Sequence, residues 1–224
     1  SNTRGGIEVD HLQFGSIRPL GSISGRKVEF GTSTEPAQIL EPISYASESD
    51  SPFQNAVDWI LEDFEDGLLN TLGVAASGEG LGVSSQLFGP EVIDSVDGDD
   101  GQVDGEISFG DSLWAQGMPG ITFTFDAAEL GGLPTQAGVV WTDGAGLTGF
   151  EAFDVYGQSL GRIDDLDLNE DSAALKAVDD DTFFGVEYAG GIGSIKIWNT
   201  IGGIEVDHLQ YGAVLSLDQG TAAS

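Results

Sequence analysis

Six carboxylates fall within thirteen residues, at Asp94, Asp97, Asp99, Asp100, Asp104 and Glu106. Glycines at 98, 101 and 105 let that backbone fold sharply, so that side-chain and carbonyl oxygens can converge. Calcium takes roughly six to eight hard oxygen ligands, and this stretch is the first candidate calcium site. Magnesium fits less well, because it keeps its own waters. The spacing is not that of an EF-hand: Gly98 comes one position too early for the twelve-residue loop, and no glutamate stands at its end. The competing reading is a solvated acidic turn, which is also how Asp179-Asp180-Asp181 reads.

Other chemistries find less to work with. The two histidines are His11 and His208, so a Ser-His-Asp triad in the body of the chain would have to use His208. At a strand end a structural histidine is the simpler reading. Thirty-eight acids offer no pair that stands out as a glycosidase couple. Gly78-Glu79-Gly80-Leu81-Gly82 is followed by neither lysine nor a convincing helix, which argues against a phosphate loop. Trp114 and Trp141, near turns, are candidate platforms for sugar rings, with core packing as the alternative. A non-enzymatic protein is expected.

One segment occurs twice. Residues 199–212 read NTIGGIEVDHLQYG and residues 2–15 read NTRGGIEVDHLQFG, identical at 12 of 14 positions. Ile204-Glu205-Val206-Asp207 alternates as a strand with one buried face does, but Leu209 and Tyr211 then fall on the wrong parity. A β-bulge at Asp207-His208 restores it. Two readings of the first copy stand: the last strand of a preceding domain in a tandem array, or an arm whose Gly6, Ile7, Val9, Leu12 and Phe14 enter the equivalent slot of a neighbouring molecule. The partner is then self, as a homopolymer or a tandem neighbour.

Charge is unevenly spread. Residues 1–27 carry +2 and residues 28–224 carry −33, for a total of −31. A basic arm and an acidic body attract at low ionic strength. The same acidity makes nucleic acid and anionic membranes poor partners and cations good ones. No run of eighteen apolar residues is present, so no membrane-spanning helix is expected. With no cysteine, disulfides and thiolate chemistry are excluded.

The elements that must hold these groups are strands. Residues 121–125, 137–141, 147–155, 182–188, 194–198 and the segment from Ile204 are short apolar or alternating runs, most of them separated by Gly or Asp-Gly. Without helices between them, they predict an all-β fold, an antiparallel two-sheet β-sandwich of jelly-roll type with an N-terminal strand arm. The expected organisation is an arm and linker over 1–50, a sandwich over 51–212 and a tail over 213–224. Residues 27–30 are a candidate edge strand. Residues 51–64 instead show helical spacing at Phe53, Ala56, Val57, Ile60, Leu61 and Phe64, with Ser51 and Gln54 as a capping box, and predict one short helix.

The ordered segments FEDGLLNTLGVAAS (64–77), DSVDGDDGQVDG (94–105), GITFTFDAAELGGLPTQAGVVWTDGAG (120–146), FEAFDVYGQSLG (150–161) and FFGVEYAGGIGSIKIWNTIGGIEVDHLQYG (183–212) resemble the β-sandwich domains of bacterial secreted proteins that carry PEP-CTERM sorting tails. The resemblance covers about residues 60–212. It implies a carbohydrate-binding-module-like jelly roll, secreted and held at the cell surface. Jelly-roll binding modules often tie the first and last strands together through calcium, and by that resemblance Glu65, Asp66 and Asp207 are candidate ligands. The expected role is a calcium-stabilised structural or assembly protein that polymerises into filaments or a surface layer. A carbohydrate-binding adhesion module is the alternative, and a polysaccharide hydrolase the second alternative.

Overall fold

The computed structural model describes residues 36–88, 95–96, 110–168 and 181–213. The chain divides into units 1–30 and 31–224, and every described residue lies in the second. The arm residues Gly6, Ile7, Val9, Leu12 and Phe14, the candidate strand at 27–30 and the acidic-loop residues Asp94, Asp97, Asp99, Asp100 and Asp104 lie outside the described residues.

The described chain is all-β. Its strands are β1 (Gln38–Ile39), β2 (Ile43–Ser44), β3 (Val57–Glu62), β4 (Val74–Ser77), β5 (Gly82–Val83), β6 (Leu113–Gln116), β7 (Ile121–Phe125), β8 (Gln136–Phe153), β9 (Ser159–Leu166), β10 (Thr182–Glu187) and β11 (Ser194–Ala213). Two short helices, α1 (Ser84–Phe88) and α2 (Ala127–Leu130), accompany them. All the strands join one antiparallel hydrogen-bonded network.

β8 and β11 form its spine, paired from Ser194↔Phe153 to Gly212↔Gln136. On its other side β11 meets β7 along 194–197, β6 along 203–206 and β3 along 209–213. The Asp143-Gly144 and Gly202-Gly203 pairs, which could have ended strands, bend them instead. Register shifts there keep the ladder continuous, so four expected strands become two long ones.

The main core gathers Phe64, Leu113, Ile121, Phe123, Val139, Trp141, Phe150, Phe184, Ile195 and Ile197 with Ile204, Val206, Leu209 and Tyr211. A smaller core of Tyr45, Phe53, Val96, Val140 and Phe183 lies against side chains of the opposite parity, as the adjacent pairs Val139/Val140 and Phe183/Phe184 show. Residues 136–142 and 204–212 are therefore buried without alternation. Gly138 is required by this second layer, since a Cβ there would run into the Phe183 ring and the Phe184 carbonyl.

Two expectations change. Residues 51–64 hold no helix: a turn at 52–55 leads into β3, which pairs Ile60 with Tyr211 and Glu62 with Leu209. Val57, Trp59 and Ile60 suit a strand, and the exposed ladder of β11 supplies partners that outweigh local helical spacing. Phe53 is buried even so, in the smaller core, with its N–H donating to Ser51 Oγ at 3.0 Å. The sheet also begins ahead of residue 51, because β1 and β2 both pair with β10.

Candidate functional site

The sequence of β11 builds its own irregularity. At Asp207-His208 the register with β8 shifts, and His208 takes a φ of 43° in the left-handed region. The extra residue brings Leu209 and Tyr211 onto the face of Ile204 and Val206, so all four enter the main core. It also delivers a row of buried polar side chains.

Three of these reach side chains outside β11. Glu205 accepts from Ser84 Oγ at 2.8 Å, and Ser84 Oγ lies 2.6 Å from Ser112 Oγ. His208 Nδ1 lies 2.9 Å from Tyr45 Oη, and Gln210 Nε2 donates to that hydroxyl at 3.0 Å. Ser51 Oγ donates to Gln210 Oε1. Burial drives the His208 pKa down to about 4, with Asp63 pulling weakly the other way, so the ring is neutral at pH 7. Burial, helped by the charge of Asp207, holds the Tyr45 hydroxyl protonated.

Asp207 differs from its neighbours. It has no solvent exposure, its Oδ1 accepts the His208 backbone N–H at 2.6 Å, and its Oδ2 has no hydrogen-bond partner among the described residues. Burial raises its pKa well above the ordinary carboxylate range, and the charges of Glu65 and Asp63 raise it further; the amides of His208 and Val96 favour the anion. An orphaned carboxylate oxygen in the interior costs roughly 1–3 kcal/mol or more unless something compensates it.

The opposing wall comes from the corner after β3. Phe64 is fully buried at a φ of 58°, and that left-handed turn reverses the chain. Glu62 braces the corner, accepting from the Phe64 N–H at 3.1 Å and from the Thr71 N–H and hydroxyl. Glu65 accepts the Asp111 N–H at 2.9 Å, and Asp63 Oδ1 accepts the Glu65 N–H at 3.2 Å. The left-handed residues Phe64 and His208 thus stand next in sequence to the acids Asp63, Glu65 and Asp207.

The candidate ligands Glu65, Asp66 and Asp207 lie in different surroundings. Glu65 and Asp207 act on one another, whereas Asp66 is exposed and accepts from the Leu68 N–H and from Asn70 Nδ2. Asp63, not among the expected ligands, acts on Asp207 through its charge. Among the described residues no three Asp, Glu or His side chains come together in a group that could hold a metal ion. Val96, from the acidic stretch of 94–106, does reach this place. Val96, 1% exposed, is anchored in the smaller core, and its amide acts on Asp207. Asp97, Asp99, Asp100 and Asp104 follow it directly in sequence.

The tryptophans separate. Trp141 is 1% exposed and its Nε1 donates to Asn199 Oδ1 at 3.2 Å, so it is a core residue and offers no face to a sugar. Trp114 is half-buried, packed over Gly203 and edge to face with the exposed Phe88 at 5.1 Å. Two surface hollows, of about 240 and 460 Å³, are lined by neither tryptophan. The larger one contains Asp126 and Glu129, but Asp126 caps α2 by accepting from Ala128 N–H at 2.7 Å. Among the described residues no helix is long and apolar enough to cross a membrane. Comparison with protein-family models, with curated proteins and with solved structures gives no match.

Proposed function

We propose that the chain is a non-enzymatic structural module, a two-sheet sandwich of jelly-roll type displayed outside the cell and clamped by calcium at Asp207. The single observation that carries the reading is the fully buried Asp207, whose Oδ2 has no partner among the described residues and on which the charges of Glu65 and Asp63 act. A divalent cation relieves both the orphaned oxygen and the repulsion among the three acids. Asp207 would supply one carboxylate of the oxygen shell, and the cation would offset the charges of Glu65 and Asp63 that act on it. The rest falls to the acidic stretch that starts beside Val96, whose carboxylates and glycine-freed carbonyls suit a large, hard cation. Calcium would then join the corner after β3, the last strand and the acidic loop, three segments that otherwise repel one another. The acidity and the resemblance to secreted sandwich domains support an extracellular setting.

Calorimetric titration of calcium into the chelator-treated full chain tests this. Saturable binding that is lost in Asp207→Asn is expected. No binding heat in the wild-type chain, together with an unchanged melting temperature, overturns the reading. The runner-up, a carbohydrate-binding adhesion module, rests on the surface pair Phe88 and Trp114. Polysaccharide retention that disappears in Trp114→Ala would favour it.

A further inference from the structure

The slot that β11 fills can be compared, position by position, with the repeated N-terminal segment. Its two differences fall where the slot tolerates them. Arg4 stands for Ile201, which is 63% exposed. Phe14 stands for Tyr211, whose ring is in the core and whose hydroxyl makes one bond, to Leu72 O at 2.9 Å. Every demanding position is retained: Ile7, Val9 and Leu12 for the core residues Ile204, Val206 and Leu209. Glu8, Asp10, His11 and Gln13 repeat the buried polar row of Glu205, Asp207, His208 and Gln210. A strand bound for an ordinary sheet has no use for four polar groups at those places, because burying them unpaired is costly. They match a slot that presents Ser84, Tyr45 and Ser51 at fixed positions.

The slot is not an open edge. Residues 203–213 lie between β8 on one side and β6 and β3 on the other, so a second strand enters only by replacing the resident one. The fold marks where that exchange would hinge. Register shifts bracket Ile201, residues 200–202 are exposed, and Gly202 sits at a φ of 69°. Gly5-Gly6 repeats Gly202-Gly203. Residues 194–199, which pair with β7 and β8, can stay in place while the segment beyond the hinge leaves.

We infer that residues 5–15 are a second, interchangeable copy of the last strand, which fills the 202–212 slot of another copy of this chain by strand exchange. This deepens the structural reading and rests on it, by naming the partner and the slot. Exchange costs little, since the entering strand restores all but the Tyr211 hydroxyl bond, and the contact, being head to tail, propagates.

The test uses full-length chains carrying Val206→Asp, Val9→Asp or both, followed by far-ultraviolet circular dichroism, thermal melting and sedimentation. Val206→Asp places a charge in the core and disables the resident strand. The expected result is a folded, cooperatively melting Val206→Asp protein sedimenting at twice the monomer mass or more, and an unfolded double variant. Val9→Asp alone should fold and melt as wild type, on its resident strand, but sediment as a monomer because its arm can no longer enter a neighbour. Loss of fold in Val206→Asp overturns the inference, because the first copy then fails to replace the second. A folded Val206→Asp monomer overturns the second-copy occupant, and a folded double variant overturns the need for the strand. Calcium binding is read on the wild-type chain, so failure there leaves this result standing.

Discussion

Asp207→Asn should have opposite effects on stability with and without calcium. In chelator, the wild-type carboxyl is buried, faces Glu65 and Asp63, and has a folded pKa raised well above its ordinary value. A raised carboxyl binds its proton more tightly in the folded state. Its contribution is fully present below the unfolded pKa and is lost as pH rises through the folded one. At pH 7.5 that elevation is a net cost to the folded state. Asparagine carries no charge to bury, so the variant should be the more stable protein in chelator at that pH, and the advantage should shrink on acidification. With calcium at a hundredfold excess over Kd, the wild-type chain gains roughly 2.7 kcal/mol. For a domain of this size that raises the melting temperature by roughly 5–10 °C, and the variant, lacking the ligand, forfeits it. Thermal melts of both proteins in chelator and in calcium would show the curves crossing. Equal wild-type melting temperatures in the two buffers, with the variant less stable in both, would refute the reasoning.

Further outcomes follow from the buried network. Tyr45→Phe strands His208 Nδ1 and Gln210 Nε2; urea unfolding should show a loss of about 1–3 kcal/mol. Tyr211→Phe removes only the bond to Leu72 O, and should cost about 0.5–1.5 kcal/mol in the same assay. His208, whose pKa is held down to about 4, resists protonation while folded. The stability this confers is present above the unfolded pKa near 6.5 and is lost as pH falls towards 4, by up to roughly 3 kcal/mol. Asp207 works in the other direction, so comparing His208→Gln in an Asp207→Asn background, by urea midpoints across that pH range, isolates the histidine. Gly138→Ala forces Phe183 and the Phe184 carbonyl apart and should cost about 1–3 kcal/mol, seen as a lower melting temperature with unchanged calcium affinity.

Much of this fold is legible in the chain because a strand writes its burial at a period of two. Ile121-Thr122-Phe123-Thr124-Phe125 reads as β7 and is β7, and the parity break at Asp207-His208 announces the bulge. Legibility fails where both faces are covered. Residues 136–142 and 204–212 are buried throughout, so alternation cannot say that a second small core lies behind them. Phe53, Ile60 and Phe64 fit helical spacing for a similar reason: their burial is set by three unrelated neighbours, the smaller core, β11 and the corner, and not by one helix face. At the candidate site, Glu65 and Asp207 come forward from the sequence, while Asp63 does not. Its proximity to Asp207 depends on the left-handed turn at Phe64, which no local pattern announces.

The sequence by itself determined the strand class, the acidic surface, the bulge and the fact that one strand is written twice. These depend on residue type and near neighbours, which order along the chain preserves. Only the tertiary structure decided that Asp207 keeps an oxygen with no partner among the described residues, that Trp141 is core while Trp114 reaches the surface, and that β11 runs between other strands instead of at an edge. Each of those is a property of distance between residues far apart in the chain. Tyr45 and His208, 163 positions apart, become partners only when the sheet closes over them.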